Sequence, residues 1–318
     1  MSSIYTDTLC MKRKWIRWVS WILLTPIILF VILMVLLYIP PVQNLLRREV
    51  TAYASEATGM QIQVERIDLR FPLNLLVRGV EVIQQPDTLL SLESLNVRVQ
   101  AWPLIKGKVE VDEVTLNQVA VNSAGLIEGM KIKGVLGRFF LQSHGVDLSN
   151  EIAIINQVDL SDTHVQLVMN DTTTAPKDTT ASAPVNWKVD LHQLNLENVS
   201  FSMQLPADSM RMAAHIGEAS VNDAQADLKN QFYSLKQFLL SGGSANYDTG
   251  AAKPVEGFDA SHIAVRDIRI GLDSLLYKGR DMNAVLREFS MNERSGLSIT
   301  SLAGRAYSND SIISVPGL

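Results

Sequence analysis

The chain has 318 residues, 47% of them hydrophobic, with 28 Lys and Arg against 33 Asp and Glu for a net charge of −5. Residues 1–39 hold four of the positive charges and one negative, so the remainder carries 24 against 32, or −8, a sign that excludes a nucleic-acid-binding surface. Cys10 is the single cysteine, which excludes a disulfide framework, a CxxC motif or a thiolate nucleophile in the rest of the chain.

Trp18 to Ile39 is a run of 22 residues without Asp, Glu, Lys, Arg or His. As a helix it would cover about 33 Å, enough to cross a bilayer core of about 30 Å. Pro26 is tolerated inside such a helix. The run is longer than a signal-peptide core, and its end, Leu37-Tyr38-Ile39-Pro40-Pro41, lacks a small-residue cleavage site. We therefore read 18–39 as an uncleaved transmembrane helix. Lys12, Arg13, Lys14 and Arg17 place residues 1–17 in the cytoplasm by the positive-inside rule. Residues 40–59 come next as a short amphipathic helix: Val42, Leu45, Leu46, Val50, Tyr53 and Ala57 fall near helical spacing, and Thr58-Gly59 stops it. It could lie on the membrane surface or plug the first end of a β body. Its few basic residues favour the plug.

From Gln61 onward apolar and polar residues alternate, the period of half-buried strands. The alternation breaks in a repeated unit, apolar-x-apolar-x-x-apolar-x-apolar. Copies stand at Ile62/Val64/Ile67/Leu69, Leu90/Leu92/Leu95/Val97, Val109/Val111/Val114/Leu116, Ala153/Ile155/Val158/Leu160, Val189/Leu191/Leu194/Leu196, Tyr233/Leu235/Phe238/Leu240 and Ile263/Val265/Ile268/Ile270. The third and fifth match at every apolar position with an offset of 80. An extra residue would flip all later side chains unless a bulge restores the face and bends the strand. Repeated bends curl a sheet with one apolar face. A two-sheet sandwich closing apolar faces on each other fits the pattern equally well. Segments 170–186 and 241–254, rich in Thr, Ala, Asp, Gly and Pro, read as flexible loops. Gly129, Gly134 and Gly137 disfavour a helix between Leu126 and Phe140.

Nothing in the chain announces chemistry. His144, His164, His192, His215 and His262 form no HxH or HxxxH pair, and they read as exposed polar residues on strand faces. Asp159 with Asp162, or Asp190 with Glu197, could pair as carboxylates, but acidic residues alternate in this way on any solvated strand. No G-x-S-x-G, P-loop or dinucleotide-binding pattern occurs. We expect no enzyme, no metal and no cofactor. Met203, Met210 and Met212 read as core filling, or as a flexible lining for a lipid tail.

The anchor followed by Ile39-Pro40-Pro41-Val42-Gln43, then Ser55-Glu56-Ala57-Thr58-Gly59 and the first repeat, resembles the opening of the TamB/AsmA-like family. Phe71-Pro72-Leu73, Arg78-Gly79-Val80-Glu81-Val82, Asp87-Thr88-Leu89-Leu90 and Trp102-Pro103-Leu104-Ile105-Lys106-Gly107 continue the likeness, and Gly134-Val135-Leu136-Gly137-Arg138-Phe139 resembles its Bacteroidetes branch. The resemblance implies an inner-membrane anchor, a periplasmic bulk, and a mainly β fold: an elongated, curled, taco-like sheet with an apolar inner face over 60–318. It implies a conduit that carries phospholipid acyl chains between inner and outer membranes. The alternative is a scaffold for outer-membrane protein assembly, a translocation and assembly module subunit working with an outer-membrane barrel protein. The candidate groove lining is Val109, Val111, Val114, Leu116, Val189, Leu191, Leu194, Leu196, Ile263, Val265, Ile268 and Ile270. Family members are usually far longer, so a C-terminally truncated chain of about twenty strands, at most roughly 100 Å of sheet, is expected.

Overall fold

A computed structural model describes residues 38–316, apart from 72, 106–109, 124–125, 127–128, 148–149, 171–185, 251–252, 254 and 310. The anchor expected over 18–39 lies outside the described residues except for Tyr38 and Ile39. So do Lys12, Arg13, Lys14, Arg17, Val109 and nearly all of 170–186. Among the described residues no helix is long and apolar enough to cross a membrane. The first element is α1, Pro40–Thr58. Its two leading prolines sit where a missing N–H costs nothing. Gly59 ends it in the left-handed region (φ +68°), its N–H donating to the Ser55 carbonyl at 2.9 Å.

The strands are β1 Gln61–Arg70, β2 Asn74–Gln84, β3 Asp87–Val99, β4 Val111–Asn122, β5 Met130–Asp147, β6 Ile152–Met169, β7 Lys188–Leu205, β8 Met210–Asp227, β9 Phe232–Asp248, β10 His262–Lys278, β11 Asp281–Glu293, β12 Ser298–Ser308 and β13 Ile313–Ser314; a short helix, α2 (Ala101–Ile105), joins β3 to β4. All thirteen strands form one curled, unclosed sheet in chain order. Neighbours are antiparallel except β6 and β7, which run parallel. Asp147 and Asp227 close the β5–β6 and β8–β9 turns by accepting the N–H of Asn150 and Asn230 at 3.1 and 3.0 Å. The sheet has thirteen strands rather than about twenty because β5 to β10 run 17 or 18 residues each, so the repeat copies in β6, β7, β9 and β10 each fill only about half of their strand. At ~4.8 Å spacing the sheet is about 58 Å across rather than roughly 100 Å.

The loop expected over 241–254 is also corrected. β9 continues to Asp248, so residues 241–248 are strand. The glycines there mark close backbone approach rather than a break. A Cβ on Gly217 of β8 would stand 3.0 Å from the Ser241 carbonyl oxygen, and Gly242 has φ +65°.

At each x-x step of the repeat the pairing skips a residue: Glu65, Glu93, Asp112, Asn156, His192, Lys236 and Asp267. One continuous line of skips, of which only Glu65 and Glu93 belong to these steps, crosses the sheet through Glu65, Gly79, Glu93, Gln118, Gly137, Asp162, Asn198 and Gly217. The line reaches Gly242, where β8 and β9 skip two pairs. Gly79, Gln118, Asp162, Asn198 and Gly242 on this line have φ of +58°, +49°, +50°, +52° and +65°. Asn198 Nδ2 donates to Asp162 Oδ1 at 2.7 Å along this line. Bulges aligned on neighbouring strands crease the whole sheet rather than one ribbon. The sandwich is thereby set aside for the described residues. Strands pack substantially only on their sheet neighbours, with α1 laid against β1. Among the described residues buried apolar ones are few, Ile67, Leu89, Ala153, Leu205 and Ala219, and no large side chain is fully buried.

Candidate functional site

Residues directly paired across a ladder point to the same face, so the registers order the apolar side chains into transverse rows. One row runs Leu69, Leu75, Val97, Val114, Leu141, Val158, Leu194, Val221, Phe238, Leu272 and Leu286, closing on Gly304. Beside it runs Ile67, Val77, Leu95, Leu116, Phe139, Leu160, Leu196, Ala219, Leu240, Ile270, Phe289 and Leu302. Neither row contains a polar side chain from β1 to β12. Shorter rows extend the same face on both sides, and its outer members are open to solvent: Phe201 is 43% exposed and Met212 39%.

Eleven of the twelve candidate lining residues are described, and all fall on this face. Val114 and Leu194 share the first row, and Leu116, Leu196 and Ile270 the second, so the offset of 80 in sequence becomes one line in space. Val111, Leu191 and Val189 lie toward one end of the strands. Ile268, Val265 and Ile263 lie beyond the crease toward the other, because β10 runs opposite to β7. The methionines divide in the same way. Met203 pairs with Met212, and both stand in line with Tyr247 and Ile263.

The opposite face is polar. Gln142, Gln157, Gln193, Asn222 and Gln237 are laterally paired on β5 to β9, and Asn222 Nδ2 donates to Gln237 Oε1 at 2.9 Å. Asp159 does not pair with Asp162; it accepts from Asn195 Nδ2 at 2.7 Å. A hollow of about 510 Å³ lies on this side, walled by His164, Ser200, His215, Ser244 and their neighbours, with Ser200 Oγ 2.9 Å from His215 Nδ1. Asp223, beside the skipped pair His192, is held below the ordinary carboxylate range first by its hydrogen bond to His192 and then by Lys236, at 3.1 Å each.

One histidine departs from expectation. His262 is only 6% exposed, with Nδ1 2.8 Å from Asp259 and Nε2 3.7 Å from Asp248. The turn before β10 folds Asp259 back over it, and the N–H groups of Val255 and Ser261 lower the Asp259 carboxyl. Sequence reading missed this cluster because Asp248, half-exposed, approaches from another strand. Among the described residues no group of His, Cys, Asp and Glu is arranged to hold a metal ion. No protein-family model matches this chain, and no curated protein matches it in sequence.

Proposed function

We propose that the chain is a membrane-anchored lipid-transfer conduit whose working surface is the apolar face, carrying phospholipid acyl chains across the periplasm between inner and outer membranes. The observation that carries this reading is the pair of unbroken apolar rows, crossing twelve strands with no second protein layer over them among the described residues. An acyl chain in water costs about 0.8 kcal/mol for each CH₂, and rows about 53 Å long at ~4.8 Å per strand offer a continuous path that removes that cost. The path runs across the strands, parallel to the crease, so headgroups can project from the open side while tails stay on the rows. No bond needs to be made or broken, in keeping with an enzyme-free reading. The likeness of the opening residues to the TamB/AsmA-like family supports the same function and the inner-membrane, periplasmic placement.

Photo-crosslinking distinguishes the two faces. A benzophenone amino acid at Leu194 or Leu116 should capture phospholipid in native membranes, and one at Asn195, the next residue on the polar face, should not. Leu194→Glu should lower co-purifying phospholipid while leaving the strand content unchanged by circular dichroism. Equal capture on both faces would end this reading.

A second reading, a scaffold for outer-membrane protein assembly with a barrel partner, draws on the far edge. Among the described residues β12 pairs with β13 only at Tyr307 and Ser308, and Arg305 is its single charged residue. Such an edge is a template for an added strand. Crosslinks from Thr300 to a barrel strand, with no lipid captured at Leu194, would favour it.

A further inference from the structure

The amphipathic helix is mounted the unexpected way round. Its polar side faces the sheet: Gln43 Nε2 donates to the Leu69 carbonyl at 3.0 Å, Arg47 Nη1 to those of Val64 and Glu65 at 3.1 and 2.9 Å, and Ser55 Oγ accepts from the Ile62 N–H at 3.1 Å. These bonds satisfy the outer edge of β1, which has a strand on one side only. The apolar stripe is left outside, with Tyr53 75% exposed, Leu45 57%, Val50 47% and Leu46 41%. The helix stands at the first end of the sheet, but the stripe that its pattern would bury there lies outside. Near the start of α1, Phe71 is 85% exposed, with its ring centroid 6.5 Å from that of Tyr38. Trp102, 70% exposed, stands at the same end, three residues past Val99, whose N–H donates to the Leu73 carbonyl.

We propose that the exposed stripe of α1, with Phe71 and Trp102, rests on a phospholipid membrane surface, so that the first strand of the sheet is seated at the bilayer and the later strands stand away from it. The occupant is a lipid surface rather than a second copy because of where the preceding chain ends. An uncharged run of 22 residues stops at Ile39, directly before α1, which holds the stripe within reach of the bilayer it would span. Aromatic side chains belong at that interface. Glu49 and Glu56 lie among the exposed residues of the helix, so attachment comes from apolar burial and should differ little between zwitterionic and anionic vesicles.

This footing rests on the membrane attachment proposed above, and one experiment separates the two. The full chain with Cys10→Ser and a single cysteine at Tyr53→Cys, Phe71→Cys or Thr300→Cys, each carrying an environment-sensitive fluorophore, is reconstituted into phosphatidylcholine vesicles containing a shallow nitroxide lipid. Flotation reports attachment. Emission from positions 53 and 71 should fall by about twofold or more, while position 300 on β12 stays unchanged. Flotation without quenching at 53 and 71 overturns the footing and leaves the anchor standing. Labels shielded from aqueous iodide but untouched by nitroxide lipid mean that protein covers the helix, which also overturns it. Quenching at all three positions means that the sheet lies flat, against the proposed orientation. A chain that does not float defeats both readings.

Discussion

At the crease, single residues decide whether the sheet bends. Gln118, Asp162 and Asn198 sit near φ +50° without being glycine, a conformation that costs about 1 kcal/mol or more for most side chains and less for Asn and Asp. Opposite Asp162 the line requires an absent side chain, because a Cβ on Gly137 would lie 2.6 Å from the Asp162 Cβ. At Gly134, three residues earlier, an added Cβ meets only ordinary contacts, the nearest being the His164 carbonyl oxygen at 3.6 Å. Gly137→Ala should therefore lower stability by about 1–3 kcal/mol, while Gly134→Ala should be neutral or stabilising by up to ~1 kcal/mol. Urea denaturation of the two variants compares them directly. Equal effects would mean that Asp162 moves aside and that the crease does not depend on the missing side chain.

Among the elements, α1 and β1 show how an edge strand is protected without a further strand. The Arg47 guanidinium bridges two successive carbonyls, those of Val64 and Glu65, at the point where the pairing of β1 with β2 skips Glu65. Hydrogen bonds from a charged donor are worth about 1.5–3 kcal/mol. Arg47→Ala should release the helix from the edge while leaving the sheet intact. Hydrogen exchange should then show faster exchange throughout 42–58 and unchanged protection in β5 to β9. If exchange in α1 does not change, the helix is held by something other than these bonds. The parallel join of β6 and β7 has its own cost, because parallel neighbours cannot be joined by a tight turn. The 18 residues between Met169 and Lys188 are long enough for such a return.

The whole molecule is held together along one dimension. Among the described residues, each inner strand packs chiefly on its two neighbours in the sheet. Such arrays behave as a chain of nearest-neighbour interfaces rather than as one core. Unfolding should therefore be graded: amide protection should be highest in the long strands β5 to β9 and fall toward β1 and β12, and the urea transition should be broader than a compact domain of equal length would give. A single sharp transition with uniform protection would show that the apolar face is covered in solution after all. The same arrangement leaves the apolar rows free, so the weakness of the architecture and its proposed use have one origin.

Periodicity in the sequence determined a great deal. The alternation from Gln61, the seven repeats and the reading of each x-x step as a bulge all describe local backbone geometry, which neighbouring residues encode. The end of α1 at Gly59 and the single apolar face were legible for the same reason. Three other features were decided only in the tertiary structure. Strand number depended on how far each strand runs on beyond its repeat before it turns, and Gly242-Gly243 looks the same in sequence whether it breaks a strand or bulges it. The orientation of α1 depended on the unpaired carbonyls of β1, a demand created only once the sheet exists. The choice between a sealed core and an open face also lay beyond the pattern. An apolar side chain is written in the same way for either, and only the absence of a second layer over the described rows tells them apart.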